Sequence, residues 1–193
     1  MEFEHLTTLV LFAFVSTFTP GPNNLMLMTS GANVGYKRTL PHMSGVAFGF
    51  AFMLLLVGAG LNGIFQTYPS AHQFLKAASL AYLFYLAIKI ACSGKANECP
   101  DFKPMTFLGA ASFQWVNPKG WSMAISAVTL YSQGGWGDLV LIATIFLLVN
   151  FPSGSAWILV GRELQRWLTS DVRTRSFNLV MAALLIASTL PML

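Results

Sequence analysis

Charge is what this sequence has least of. Only 9% of its 193 residues are charged and 55% are hydrophobic, against about 25% charged in an ordinary soluble domain. Carboxylates are the scarcest of all. The seven, Glu2, Glu4, Glu98, Asp101, Asp138, Glu163 and Asp171, fall between apolar runs or near their ends. Their placement leaves no carboxylate at membrane depth, hence no proton relay of the common transporter kind and no fixed counter-ion for a cationic substrate side chain. Cysteine is nearly absent as well: Cys92 and Cys99 stand apart, with no CxxC and no histidine at ligand spacing, so neither a metal nor a redox motif is supported. No cofactor is expected. His5, His42 and His72 each mark the boundary of an apolar run and read as interfacial residues; only His42, beside Pro41, is a candidate proton carrier. The net charge of +4 sits in short connections and forms no basic stripe, so no nucleic-acid partner is expected.

What the chain does have is long apolar runs. Met1 to His5 carries Glu2 and Glu4 but no Lys or Arg, the wrong flank for a signal peptide, so the first run counts as a span. Six spans are expected, at about residues 6–29, 43–65, 72–91, 107–131, 138–160 and 177–193, each of a length suited to a hydrocarbon core of ~30 Å. The connections are a polar turn at 31–42, a turn at 67–70, a polar loop at 93–103, a glycine-rich turn at 132–137 and an amphipathic polar segment at 162–175. No period-2 alternation suggests a barrel. The reading is an all-α, polytopic membrane protein of one domain, residues 1–193, with halves at about 1–92 and 104–193. Lys37, Arg38, Lys89, Lys95, Lys103, Arg162, Arg166, Arg173 and Arg175 belong to alternate loops, whereas Lys76 alone lies on the other side. The positive-inside rule then makes the loop at 93–103 cytoplasmic and both termini periplasmic.

Two spans are interrupted. The first contains Phe18-Thr19-Pro20-Gly21-Pro22-Asn23-Asn24 and the fourth Gln114-Trp115-Val116-Asn117-Pro118-Lys119-Gly120. A proline within a helix costs ~3 kcal/mol or more, and freed carbonyls find no water in lipid. Pro20 and Pro118 are 98 residues apart, each in the first span of a three-helix half. Three is an odd number, so the second half enters from the opposite face, giving two inverted three-helix repeats with helices 1 and 4 broken. Paired broken helices point to a transport site at the repeat interface.

With these motifs in hand, the chain resembles the LysE/RhtB family of amino-acid exporters over its whole length, and within it the homoserine/threonine and cysteine/O-acetylserine exporters. The resemblance implies a secondary transporter in a bacterial inner membrane that exports a small amino acid, such as threonine, homoserine or a cysteine-like compound, by proton antiport. It does not carry the substrate itself.

The candidate substrate-binding residues are Thr19, Pro20, Gly21, Pro22, Asn23, Asn24, Gln114, Asn117, Pro118, Lys119 and Asn150. Lys119 is the one Lys or Arg far from a membrane surface. Such a charge costs roughly 2.5–3.5 kcal/mol at helix centre, so it either pairs with a substrate carboxylate, loses and regains a proton, snorkels to an interface, or donates to carbonyls freed by Pro118. A half-helix starting at the first break would offer free N–H groups and a positive dipole end to an α-carboxylate; alternatively, Thr19, Asn23 and Asn24 serve the orphaned carbonyls. Gln114 and Asn117 mirror them. Asn150, with Pro152, Ser153, Gly154 and Ser155, makes a third polar kink, serving packing or the ligand. Without an acid, the substrate amine falls to carbonyls, amides or the faces of Trp115 and Trp121, which favours small neutral amino acids.

An uncoupled facilitator or pore is the competing reading. An intramembrane enzyme built on Ser153 or Ser155 has no histidine at depth as its base, so no enzyme is expected, and a structural subunit has little use for a midplane lysine. Gly45-x-x-x-Gly49 suits either packing within the chain or a homo-oligomer face.

Overall fold

The computed structural model describes residues 3–61, 69–92, 102–167 and 170–187, and every regular element in them is helical. In chain order these are α1 (Phe3–Phe18), α2 (Pro22–Leu56) with a π-turn over Val57–Leu61, α3 (Pro69–Cys92), α4 (Phe107–Phe113) with a 3₁₀ turn over Gln114–Val116, α5 (Pro118–Tyr131), α6 (Trp136–Trp167) and α7 (Asp171–Ala187). Cys99, Glu2, Glu98, Asp101 and most of the 93–103 loop lie outside the described residues, as do residues 67 and 68 of the 67–70 turn.

Two chain reversals expected as polar segments are shorter than the sequence suggests. The 31–42 turn is helical apart from Gly35, whose φ of 78° and ψ of 177° break α2 into a proximal arm (22–34) and a distal arm (36–56). The arms fold back on each other. Ser30 and His42 would be about 18 Å apart on a straight helix at 1.5 Å per residue, yet Ser30 Oγ lies 3.3 Å from His42 Nδ1. Likewise, α6 runs on through Arg162 and Arg166 to Trp167, and α7 begins at Asp171, so most of the 162–175 segment is helical. The kink expected at 150–155 does not interrupt α6, which carries Pro152 inside it.

The other helix ends have local causes. After α1, Pro20 and Pro22 withhold two N–H donors, and α2 restarts with Pro22 at its first position. Pro118 starts α5 in the same way after Asn117, whose φ of −95° and ψ of 108° are extended. Proline suits that first position because its N–H would be unused there. At α4, Thr106 Oγ1 accepts from Gly109 N at 3.1 Å and caps the helix.

Packing relies on small residues. A Cβ on Gly45 would meet the Phe107 carbonyl of α4, and one on Gly49 would meet Ala111, so Gly45-x-x-x-Gly49 is the seat of α4 within the chain. Gly31 and Gly161 let the proximal arm of α2 approach α6 through the backbones of Ile158 and Met28. This is how helices associate in lipid, where burying apolar surface against one another gains little. One core joins α1, the distal arm, α5 and α6 around Leu9, Phe50, Ile142 and Phe146; another joins the proximal arm, α3, Phe113 and α7 around Met26, Leu86 and Met181. Large apolar side chains also cover the outside: Leu108 is 73% exposed and Leu148 65%. Among the described residues, two helical stretches are long and apolar enough to cross a membrane by length and composition, Pro22–Gly60, which the break at Gly35 divides, and Trp136–Leu164, and Glu4–Phe18 and Leu80–Cys92 are shorter apolar helices.

Candidate functional site

The break after α1 leaves carbonyls without helical partners, and each of four has a side-chain donor. Thr19 Oγ1 donates to Ser16 O at 2.8 Å, replacing the N–H that Pro20 lacks. Asn24 Nδ2 donates to Thr17 O and Thr19 O at 2.7 and 2.8 Å, and Ser153 Oγ adds a bond to Thr17 O at 2.9 Å. Lys119 Nζ, from α5, donates to Thr19 O at 2.6 Å, Thr19 Oγ1 at 2.9 Å and Pro20 O at 3.4 Å. The lysine thus binds carbonyls freed in the first break, not those beside its own Pro118. Its stem lies on Gly21, where a Cβ would stand 2.6 Å from Lys119 Cδ.

The two restarted helices turn their first residues toward one space. In α2 the first hydrogen bond runs from Leu25 N to Gly21 O, and in α5 from Trp121 N to Asn117 O. The amides of Asn23, Asn24, Lys119 and Gly120 precede those bonds, and neither Gly21 nor Asn117 caps its helix with a side chain. A small cavity of about 30 Å³ between them is lined by Gly21, Asn23, Asn24, Asn117, Lys119 and Gly120, with Ser16, Thr17, Val46, Phe50, Gln114, Met123 and Asn150. Asn23 and Gln114 close one side by exchanging amide bonds, 2.9 Å from Asn23 Nδ2 and 3.4 Å from Gln114 Nε2. Asn117 Oδ1 is buried with no hydrogen-bond partner. Among the described residues no carboxylate lines the cavity.

Seven of the eleven expected residues therefore meet here: Gly21, Asn23, Asn24, Gln114, Asn117, Lys119 and Asn150. Thr19 and Pro20 stand outside and hold Lys119, while Pro22 and Pro118 shape the helix starts. Trp115 and Trp121 do not line the cavity. They pack edge to face at 6.0 Å, with Trp121 Nε1 bonded to Trp115 O, which removes them as a cage for the substrate amine. Asn150 Nδ2 is bonded to Phe146 O at 2.9 Å.

Residues 14–191 match the family described as LysE type translocator. The chain belongs to the LysE family. It is a membrane transporter of that family and not an enzyme. Among its relatives, the cysteine/O-acetylserine efflux protein of Shigella flexneri serotype 5b is 27% identical, the match covering 94% of this chain and 96% of the relative. The protein of the same name from Escherichia coli K12 is 26% identical over 91% of this chain and 90% of the relative. No solved structure matches.

Six lining residues of this LysE-family chain escape a reading of the sequence. Ser16 and Thr17 lie one turn before the first break, and Gly120 and Met123 follow the second, so proximity to the breaks was an available signal. Val46 and Phe50 had none: they reach the cavity only because α2 reverses at Gly35.

Proposed function

We propose that the chain exports a small neutral amino acid from the cytoplasm by alternating access of two inverted three-helix repeats, in a bacterial inner membrane, with both termini periplasmic and proton antiport as the driving force. One observation carries the reading: two helix N-termini and Lys119 converge on a single amide-lined, acid-free cavity. That set suits an α-carboxylate, which takes the uncapped N–H groups of α2 and α5 and the Lys119 ammonium. The partnerless Asn117 Oδ1 is an acceptor for the substrate amine. With no acid nearby, a second cationic group on the substrate would stay unpaired, which disfavours lysine or arginine, and the names of the relatives favour cysteine-like and O-acetylserine-like compounds.

At about 30 Å³ the cavity has room for about one water, far below the roughly 300 Å³ of ordinary ligand pockets. Transport therefore requires the repeats to part. In the closed arrangement Lys119 ties α5 to the Thr19–Pro20 carbonyls, and Asn23 ties α2 to Gln114. A substrate carboxylate competes for the Lys119 ammonium and loosens the first tie, so the ligand favours the open state through its own differential contacts.

Efflux of radiolabelled O-acetylserine, threonine and homoserine from loaded vesicles tests this, with and without a pH gradient. Lys119→Met is expected to lower efflux about 30-fold or more, the cost of removing one partner of a buried charged pair. Native-like efflux by Lys119→Met would remove the lysine from the site. The acid-free lining also favours a second reading, an uncoupled facilitator, which predicts equal efflux in the absence of a gradient.

A further inference from the structure

A larger cavity, of about 620 Å³, opens beside the reversal of α2 and takes no part in the site above. His42 lines it and is only 1% exposed; its Nδ1 lies 3.3 Å from Ser30 Oγ, and its Nε2 has no hydrogen-bond partner. A buried polar nitrogen in this condition is a cost that packing does not recover. Lys89 and Lys103 stand exposed on the wall, with Lys89 Nζ 5.7 Å from the centre of the Tyr85 ring. No described acid lines the space.

The position relative to the small cavity matters as much as the lining. Asn23, Met26 and Ser30 are three and four residues apart on the proximal arm of α2, so they share one face. Asn23 lines the small cavity, and Met26 and Ser30 line the large one. Seven residues at 1.5 Å each put about 10 Å between the ends of this stripe. The two cavities are therefore stacked along one helix face, with Met26 between their polar ends.

We infer that the large cavity is a vestibule that binds the amino acid before it reaches Lys119, on the side of the molecule where Lys89 and Lys103 stand. The inference rests on the exporter reading. When the Ser30 hydroxyl donates to Nδ1, the ring proton resides on Nε2, a buried donor without a partner that a substrate carboxylate would take up as the wall beside it opens; Lys89 and Lys103 draw the anion in over a longer range. The space exceeds one small amino acid, so the vestibule is hydrated and selects for the carboxylate, leaving discrimination of the side chain to the closer-fitting cavity.

Cys92, exposed on the same wall, supplies the test. In everted vesicles carrying the Cys99→Ser chain, Cys92 is labelled with a polar maleimide in the presence of threonine, homoserine or O-acetylserine. The vestibule predicts that a transported amino acid slows labelling and that Lys119→Met keeps this protection while losing transport. Ser30→Ala and His42→Gln are expected to raise KM from the cytoplasmic side about tenfold, the weight of one hydrogen bond to a charged group, with a smaller change in kcat. If the native chain transports none of the three, the exporter reading fails and the vestibule with it. If transport proceeds while labelling of Cys92 is indifferent to substrate, the vestibule alone is wrong. Protection by added phosphatidylglycerol but not by amino acids would make the cavity a lipid site and overturn the inference.

Discussion

At the scale of single residues, the asparagines around the breaks divide into two kinds. Asn24 spends its amide on Thr17 O and Thr19 O, each of which keeps a second donor in Ser153 or Lys119, so Asn24→Ala loses two hydrogen bonds of about 0.5–1.5 kcal/mol apiece and should cost about 1–3 kcal/mol of stability, read as a lower unfolding temperature in detergent. Asn117 has an unused Oδ1 instead. Asn117→Ala is expected to keep the native unfolding temperature and lose substrate affinity, measured as KM in the vesicle assay. Equal losses of stability in both variants would make Asn117 a structural residue like Asn24. Gly21 belongs with Lys119: in Gly21→Ala the new methyl displaces the flexible lysine, so the chain should fold and transport poorly. Lys119→Arg should not restore function, because a planar guanidinium cannot follow the clustered oxygens that a compact ammonium reaches.

At the scale of elements, α2 is the unusual one. Its reversal depends on Gly35, whose backbone region is essentially closed to other residues, so Gly35→Ala should destabilise by about 1–3 kcal/mol. The seat of α4 on α2 has no room for a side chain at Gly49; Gly49→Leu should cost as much as overpacking a core does, about 1–3 kcal/mol or more. Both are read by thermal unfolding, and a native-like melting curve for either would contradict this packing of α2. Helix starts were the most legible elements, since Pro22 and Pro118 announce them by covalent structure alone. The reversal at Gly35 was not: the sequence around it contains Lys37 and Arg38 and looks like an ordinary polar loop, whereas the residues on either side continue as helix because their backbone bonds can close there.

At the scale of the whole molecule, the charge pattern predicts orientation. A cysteine placed at residue 37 or 38 should react with a membrane-impermeant reagent in everted vesicles and be protected in intact cells, and the reverse result would invert the topology. Gradient dependence of efflux distinguishes antiport from facilitation at the same scale, since it is a property of the cycle and not of one side chain. The acid-free cavity makes Lys119 the ionisable group to follow there, and the pH profile of Lys119→Met against native reports whether it takes part.

Sequence alone was enough to show that the chain is built of long apolar helical runs joined by polar segments, that its first and fourth apolar runs are broken by proline, and that a lysine lies beside the second break. These follow from covalent facts: a missing N–H, a charge in an apolar run, the scarcity of acids. It could not determine which carbonyls the lysine would serve, because Lys119 and Thr19 are 100 residues apart and only the packing of α5 against the first break brings them together. Tertiary structure also decided that Val46 and Phe50 wall the cavity, that the two tryptophans pair with each other, and that His42 is buried beside Ser30. In each case the deciding term was long-range: small residues let backbones approach, and the side chains then found partners that no local pattern encodes.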